Sequence, residues 1–125
     1  MKVLQINSVC GVGSTGRIAA DLHTFLKQKG DTGWIAYGRG EARGCDAAIG
    51  IGGTADNYAH VALTRLFDRH GYGSRGATRR FLKQAEELSP DLIHLHNIHG
   101  YYLHIGELFQ WLKQSGLPVV WTLHD

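Results

Sequence analysis

The chain has only two cysteines in its 125 residues, and no apolar run approaches the ~20 residues that a membrane span requires. Cys10 and Cys45 lack Cys-x-x-Cys spacing, which argues against a disulfide framework and fits reduced thiols in the cytosol. The formal net charge of +2 is too small to argue for a nucleic-acid partner. Internal repeats and low-complexity segments are missing as well. Met1-Lys2-Val3-Leu4 leads straight into an apolar strand rather than through a signal peptide, so a cytoplasmic chain is expected. Several catalytic signatures are also absent: there is no Gly-x-Ser-x-Gly elbow, no Walker phosphate loop and no Asp-x-Asp metal-sugar motif. Hydrolase, nucleoside-triphosphatase and metal-dependent glycosyl-transfer chemistry all lose weight.

What is present is a soluble composition, 43% hydrophobic and 19% charged, in a length that suits one domain spanning residues 1–125. Lys2 to Asn7 reads as a buried strand, and Ser14 to Lys29 as a helix with Ile18, Ala19, Leu22, Phe25 and Leu26 inward. Ser14 or Thr15 can cap that helix, and Gly30 ends it. Thr32 to Tyr37 completes a βαβ unit. A short strand is expected near Ala48 to Ile51, and helices over Asp56 to Asp68 and Ala77 to Leu88, with a loop from His70 to Gly76 between them. Asp91 to His96 is a strand, Ile105 to Gln114 a helix and Val119 to Leu123 a final strand. This alternation predicts an α/β, Rossmann-like fold, a mostly parallel sheet with helices on both faces. A doubly wound domain would continue with a helix after Leu123, so the chain reads as part of something longer.

In open α/β sheets, ligands bind outside the carboxyl ends of the strands. Three such ends carry polar groups. The first is the loop Asn7-Ser8-Val9-Cys10-Gly11-Val12-Gly13-Ser14-Thr15-Gly16-Arg17, which leaves room for an anion at a helix N-terminus. Arg17 in that first turn opposes the helix dipole by several tenths of a kcal/mol unless a phosphate sits there; the alternative is an exposed side chain at the rim. The second end is His96-Asn97-Ile98-His99-Gly100, where His96 and Asn97 could donate to hydroxyls or brace the loop. The third is His124-Asp125; a neutral imidazole at 124 can accept or donate a hydrogen bond beside a developing charge, with Asp125 holding its tautomer or belonging to a turn. His94, His96, His99 and His104 suggest a metal at first sight, but no cysteine or carboxylate cluster joins them, and a buried, hydrogen-bonded His94 is the favoured reading. Gly11, Gly13 and Gly16 match Gly-x-Gly-x-x-Gly, and Arg39 after the second strand could take a 2′-phosphate, so an NADP-binding oxidoreductase fragment stands as one alternative. A non-catalytic module for phosphorylated ligands is another. Arg65, Arg69, His70, Arg75, Arg79 and Arg80 form a solvated helix face or a landing surface for an anionic partner or lipid head group, the latter at the inner face of the membrane.

Three ordered stretches, MKVLQINSVCGVGSTGRIAADL, SPDLIHLHNIHGYYL and LPVVWTLHD, resemble the N-terminal half of family 4 glycosyltransferases of the GT-B fold. The middle stretch is similar to bacterial enzymes that build capsular, exopolysaccharide or colanic-acid-type chains. The resemblance implies a retaining transfer of sugar from a nucleotide-diphosphate donor to a glycan or lipid-linked acceptor, with no obligatory metal or other cofactor. It implies donor-phosphate contacts from Gly13, Ser14, Thr15, Gly16 and Arg17, a reaction-centre role for His124, and acceptor contacts from His96, Asn97, His99 and Tyr101. In the family, most nucleotide contacts come from a C-terminal domain that these residues do not include, so activity is expected of a longer protein rather than of this chain alone.

Overall fold

Five strands and three helices alternate along the described residues, which are 1–40, 42–43, 45–51, 75–99 and 102–124 of a computed structural model. In chain order they are β1 (Lys2–Asn7), α1 (Gly13–Gln28), β2 (Thr32–Tyr37), β3 (Ala48–Gly50), α2 (Arg75–Leu88), β4 (Leu92–Leu95), α3 (Ile105–Ser115) and β5 (Val119–Trp121). The strands form one sheet of order β3-β2-β1-β4-β5, parallel throughout. This is the expected Rossmann-like arrangement. The order reverses between β1 and β4, so the carboxyl ends of those two strands flank the topological switch point.

Side-chain alternation sorts each strand onto two faces. Leu4, Ile6, Ile93 and Leu95 meet Phe81, Leu82 and Ala85 of α2 and Leu108, Trp111 and Leu112 of α3 in the main core. Trp111 satisfies its buried indole N–H on Glu86 Oε1 at 3.0 Å. On the opposite face lies α1, and Gln5 reaches it by donating from Nε2 to the Ala19 carbonyl at 3.0 Å.

The inward face of α1 differs from the expectation. Gly16, Ala19, Ala20 and His23 are buried, whereas Ile18 and Phe25 are 47% and 55% exposed. Small residues let the helix axis sit close to the strands and loop. A Cβ at position 16 would come within 3.0 Å of Val9 Cγ2 and 3.1 Å of the Gly11 nitrogen. That close approach turns the larger side chains outward. The N-cap is Val12, in extended conformation and without a side-chain cap, so neither Ser14 nor Thr15 caps the helix; both lie within its first turn. At the far end Gly30 takes φ +90°, as anticipated.

Helix α3 is capped at both ends. His104 Nδ1 accepts from the Glu107 N–H at 3.0 Å, and Gly116 closes the C-terminus at φ +68°. Helix α2 includes Arg75 and Gly76, where a loop was expected. The expected helix over 56–68, along with Arg65, Arg69 and His70, lies outside the described residues. Of the basic group, Arg75 and Arg79 pair with Glu107 at 3.3 and 2.9 Å. β4 is two residues shorter than expected by pairing, yet Asp91 N–H to Lys2 C=O (2.8 Å) and His96 N–H to Ile6 C=O (2.9 Å) extend its ladder at both ends. β5 is an edge strand whose three residues are exposed; its Trp121 ring lies 6.0 Å from that of Phe109. No described helix is long and apolar enough to cross a membrane.

Candidate ligand site at the strand carboxyl ends

The loop between β1 and α1 is held by its own backbone. Gly11 N–H donates to the Gly16 carbonyl at 2.9 Å, and Arg43 N–H donates to the Cys10 carbonyl at 3.1 Å. Gly11 has φ +74°, and a Cβ there would lie 1.6 Å from the Arg43 carbonyl oxygen, so only glycine fits. Gly13 also has positive φ, +68°, but with open space around it. The Gly11 amide is thus spent inside the loop, and Gly16 is buried as a packing residue. The groups left for an anion belong to the first turn of α1, which carries no acidic residue and no N-cap side chain. Ser14 and Arg17 are exposed there, and Thr15 is half-buried. Cys10 is buried beneath the loop; desolvation, reinforced by the Cys45 thiol, pushes its own thiol up to about 12. It is small, protonated filler.

Three loops are tied into one body at this edge. The Ser8 carbonyl accepts from the N–H groups of Gly38 (3.1 Å) and Arg39 (2.9 Å), which joins the loops after β1 and β2. Buried Asn7 donates from Nδ2 to the Val9 carbonyl (2.9 Å) and to Thr15 Oγ1 (3.4 Å), while its Oδ1 accepts from the Asn97 N–H at 3.2 Å. Tyr102 donates its hydroxyl to the Asn97 carbonyl at 2.5 Å. Its ring lies over Gly38, where a Cβ would meet it at 2.1 Å. Burial drives the Tyr102 phenol well above its ordinary range.

Beside these loops stands a row of imidazoles. His94 and His96 stack at 4.2 Å between centroids, and His96 and His124 at 5.2 Å. His94 Nε2 lies 2.7 Å from Thr122 Oγ1. His96 Nε2 is 2.7 Å from Gln5 Oε1, and its Nδ1 is 2.9 Å from His124 Nε2. Trp121 anchors the strand end by donating its indole N–H to the His96 carbonyl at 2.9 Å. Desolvation, helped by the neighbouring rings of His94 and His124, holds His96 down at about 4. His94 is lowered too, first by burial and then by His124. The row is therefore neutral at its inner end at physiological pH.

The sequence-predicted residues divide accordingly. Gly13, Ser14, Thr15, Arg17 and His124 lie at the carboxyl edge with atoms available to a ligand. His96 is 2% exposed and has both ring nitrogens engaged, so it braces the site from within. Asn97 is half-buried and ties the loops together; His99 is exposed. Tyr101 and Asp125 lie outside the described residues. His94 is hydrogen-bonded as expected, to Thr122, but half-buried rather than buried. His104 serves as a helix cap. Gln5 escapes the sequence reading and Asn7 enters it only as the start of the glycine loop, although each is a polar residue set into an otherwise apolar strand, which demands a partner.

A second cluster sits near the opposite edge of the sheet. An open cavity of about 640 Å³ is lined by His23, Thr24, Lys27, Gln28, Cys45 and Asp46. Donor atoms of His23, Cys45 and Asp46 lie within 4.8 Å of one another. Asp46 is already paired, however, with His23 Nε2 at 3.0 Å on one oxygen and with the Lys27 ammonium on the other. These contacts hold its carboxyl down at about 2. A cation here would have to compete with that ammonium. The cavity is formed by the C-terminal half of α1 and the residues just before β3 rather than by the first turn of α1 or the loop after β4, so its size does not make it the better site. Comparison of the chain with protein-family models, with curated proteins and with solved structures found no match.

Proposed function

We propose that this chain is the N-terminal, ligand-binding part of a retaining glycosyltransferase that moves a sugar from a nucleotide-diphosphate donor to a glycan or lipid-linked acceptor. The observation that carries the reading is the juxtaposition at the switch point. Asn7 bonds to Thr15 of the helix start and to Asn97 of the β4 loop, while the preceding residue, His96, bonds to His124. The phosphates of a sugar donor and the hydroxyl of a sugar acceptor thus have complementary groups on one edge: helix N–H groups with Arg17 for the former, an imidazole for the latter. The ordered likeness of three stretches to family 4 glycosyltransferases supports the same assignment. Gly13, Ser14, Thr15 and Arg17 would hold donor phosphates, His124 would sit at the reacting sugar, and Asn97 and His99 would line the acceptor side.

Arg39 keeps one second reading in view. It lies two residues past the end of β2 and its N–H is bonded to the Ser8 carbonyl of the glycine loop, the position from which an arginine could meet a 2′-phosphate. Calorimetric titration of the chain with uridine and guanosine diphosphates, their sugar conjugates and NADPH separates the two. The glycosyltransferase reading expects binding of a nucleoside diphosphate or its sugar conjugate that Arg17→Glu weakens by about tenfold or more. Binding of NADPH alone, lost in Arg39→Ala, would replace it with the dinucleotide reading. No binding of either class at millimolar ligand would leave neither standing for this chain.

A further inference from the structure

We propose that Gln5 and His96 are positioning residues that lock His124 with its proton on Nε2, so that its Nδ1 presents a lone pair to a hydrogen-bond donor on the ligand. The direction of the lock follows from the one group in the chain of contacts that can only accept. The Ala19 carbonyl takes a hydrogen bond from Gln5 Nε2 at 3.0 Å, which fixes the amide with Oε1 facing His96. Reversing the amide would set two buried acceptors against each other. Gln5 Oε1 in turn requires a proton on His96 Nε2, 2.7 Å away. A neutral imidazole protonated at Nε2 accepts at Nδ1. His124 Nε2, 2.9 Å from that atom, must therefore be the donor.

Each link is shielded from water at its inner end: Gln5 and His96 are 1% and 2% exposed. The low basicity of His96 keeps the relay from being broken by a second proton on that ring near neutral pH. A locked ring cannot exchange its two tautomers to suit whatever binds. It therefore selects a hydroxyl or amine over a bare phosphate oxygen as the group next to His124 while that ring is neutral. Only this last consequence rests on the glycosyltransferase reading; the tautomer does not.

Long-range proton–nitrogen correlation NMR of the 125-residue chain at about pH 8, above the ordinary imidazole range, tests the lock. The expected spectrum shows His124 and His96 each protonated at Nε2 and bare at Nδ1. It also shows a scalar coupling across the bond between the two rings, with the shared proton attached to His124. A proton on His96 Nδ1, an averaged His124 ring or a His124 protonated on both nitrogens would overturn the proposal. Gln5→Met removes the acceptor at similar length and should convert His124 from one form to a mixture. An unchanged single form in the folded variant would also contradict the lock, and the wild-type spectrum decides the matter if that variant does not fold. A chain that shows the coupling but binds no nucleoside diphosphate retains the relay and loses the functional reading; binding without the coupling does the reverse.

Discussion

On one face of the sheet, Leu4 and Ile6 of β1 and Ile93 and Leu95 of β4 are sealed beneath α2 and α3 by Phe81, Leu82, Leu108 and Trp111. On the other face the same two strands present Gln5, His94 and His96, and the only described helix on that side, α1, lies against β1 and β2. The apolar face needs only volume and shape to be satisfied. The polar face needs specific partners 14 to 91 residues away along the chain, from Ala19 to Thr122 and His124. Stability should therefore be concentrated on the first face and ligand chemistry on the second, with the loops after β1, β2 and β4 joining the two.

That division can be broken by experiment, most forcefully in the core. Leu108→Ala removes a fully buried side chain and should cost about 2–5 kcal/mol in urea unfolding. His94→Ala removes a half-buried ring with one hydrogen bond, to Thr122, and should cost about 1 kcal/mol. Equal losses would mean that the polar row is as structural as the core. Within the glycine loop the same contrast can be sharpened. Gly13→Ala meets open space and should lose only the ~1–2 kcal/mol of a left-handed non-glycine residue. Gly11→Ala should lose more, because its Cβ would overlap the Arg43 carbonyl and force the loop apart. Matching losses at the two positions would show that the Arg43 contact does not constrain the loop.

Acid should act mainly through the polar face. His96 is held at about 4 in the folded chain, against an ordinary value of 6.5. Between those values the unfolded chain binds a proton that the folded chain refuses, so stability present above about pH 6.5 should fall progressively toward about pH 4. His94 and His104, both lowered by burial, act in the same direction. Unfolding measured across this range should lose its slope in His96→Phe if the assignment is right, and keep most of it if other groups dominate. The smallest effect is expected at the Arg75–Glu107–Arg79 cluster. Both arginines are exposed there, so Glu107→Gln should shift the urea midpoint least of these variants, and less still at high salt.

The alternation of strand and helix, and with it the parallel sheet, and the glycine end of α1 were legible in the sequence because they rest on local signals. The inward face of α1 was not. Periodicity favours Ile18 and Phe25 beside Ala19; Ala19 is buried, but close packing against the loop at Gly16 leaves Ile18 and Phe25 exposed and buries Gly16, Ala20 and His23 instead. The N-cap differs as well: the helix begins at Gly13 after Val12, one residue before the expected start, so Ser14 falls inside it. At the site, His124 and the first turn of α1 were visible as polar groups at strand ends. Gln5 was not, because its role depends on His96, 91 residues on, and on a carbonyl of a neighbouring helix. A single amide inside Lys2–Asn7 was the available clue.

The most direct test of the two-faced account is amide and side-chain NMR mapping of the 125-residue chain during titration with uridine and guanosine diphosphates. The account predicts shifts confined to residues 11–17, 96–99 and the His124 ring, at the carboxyl ends of β1, β4 and β5. Shifts centred instead on His23, Lys27, Cys45 and Asp46 would contradict it and move the ligand site to the opposite edge of the sheet.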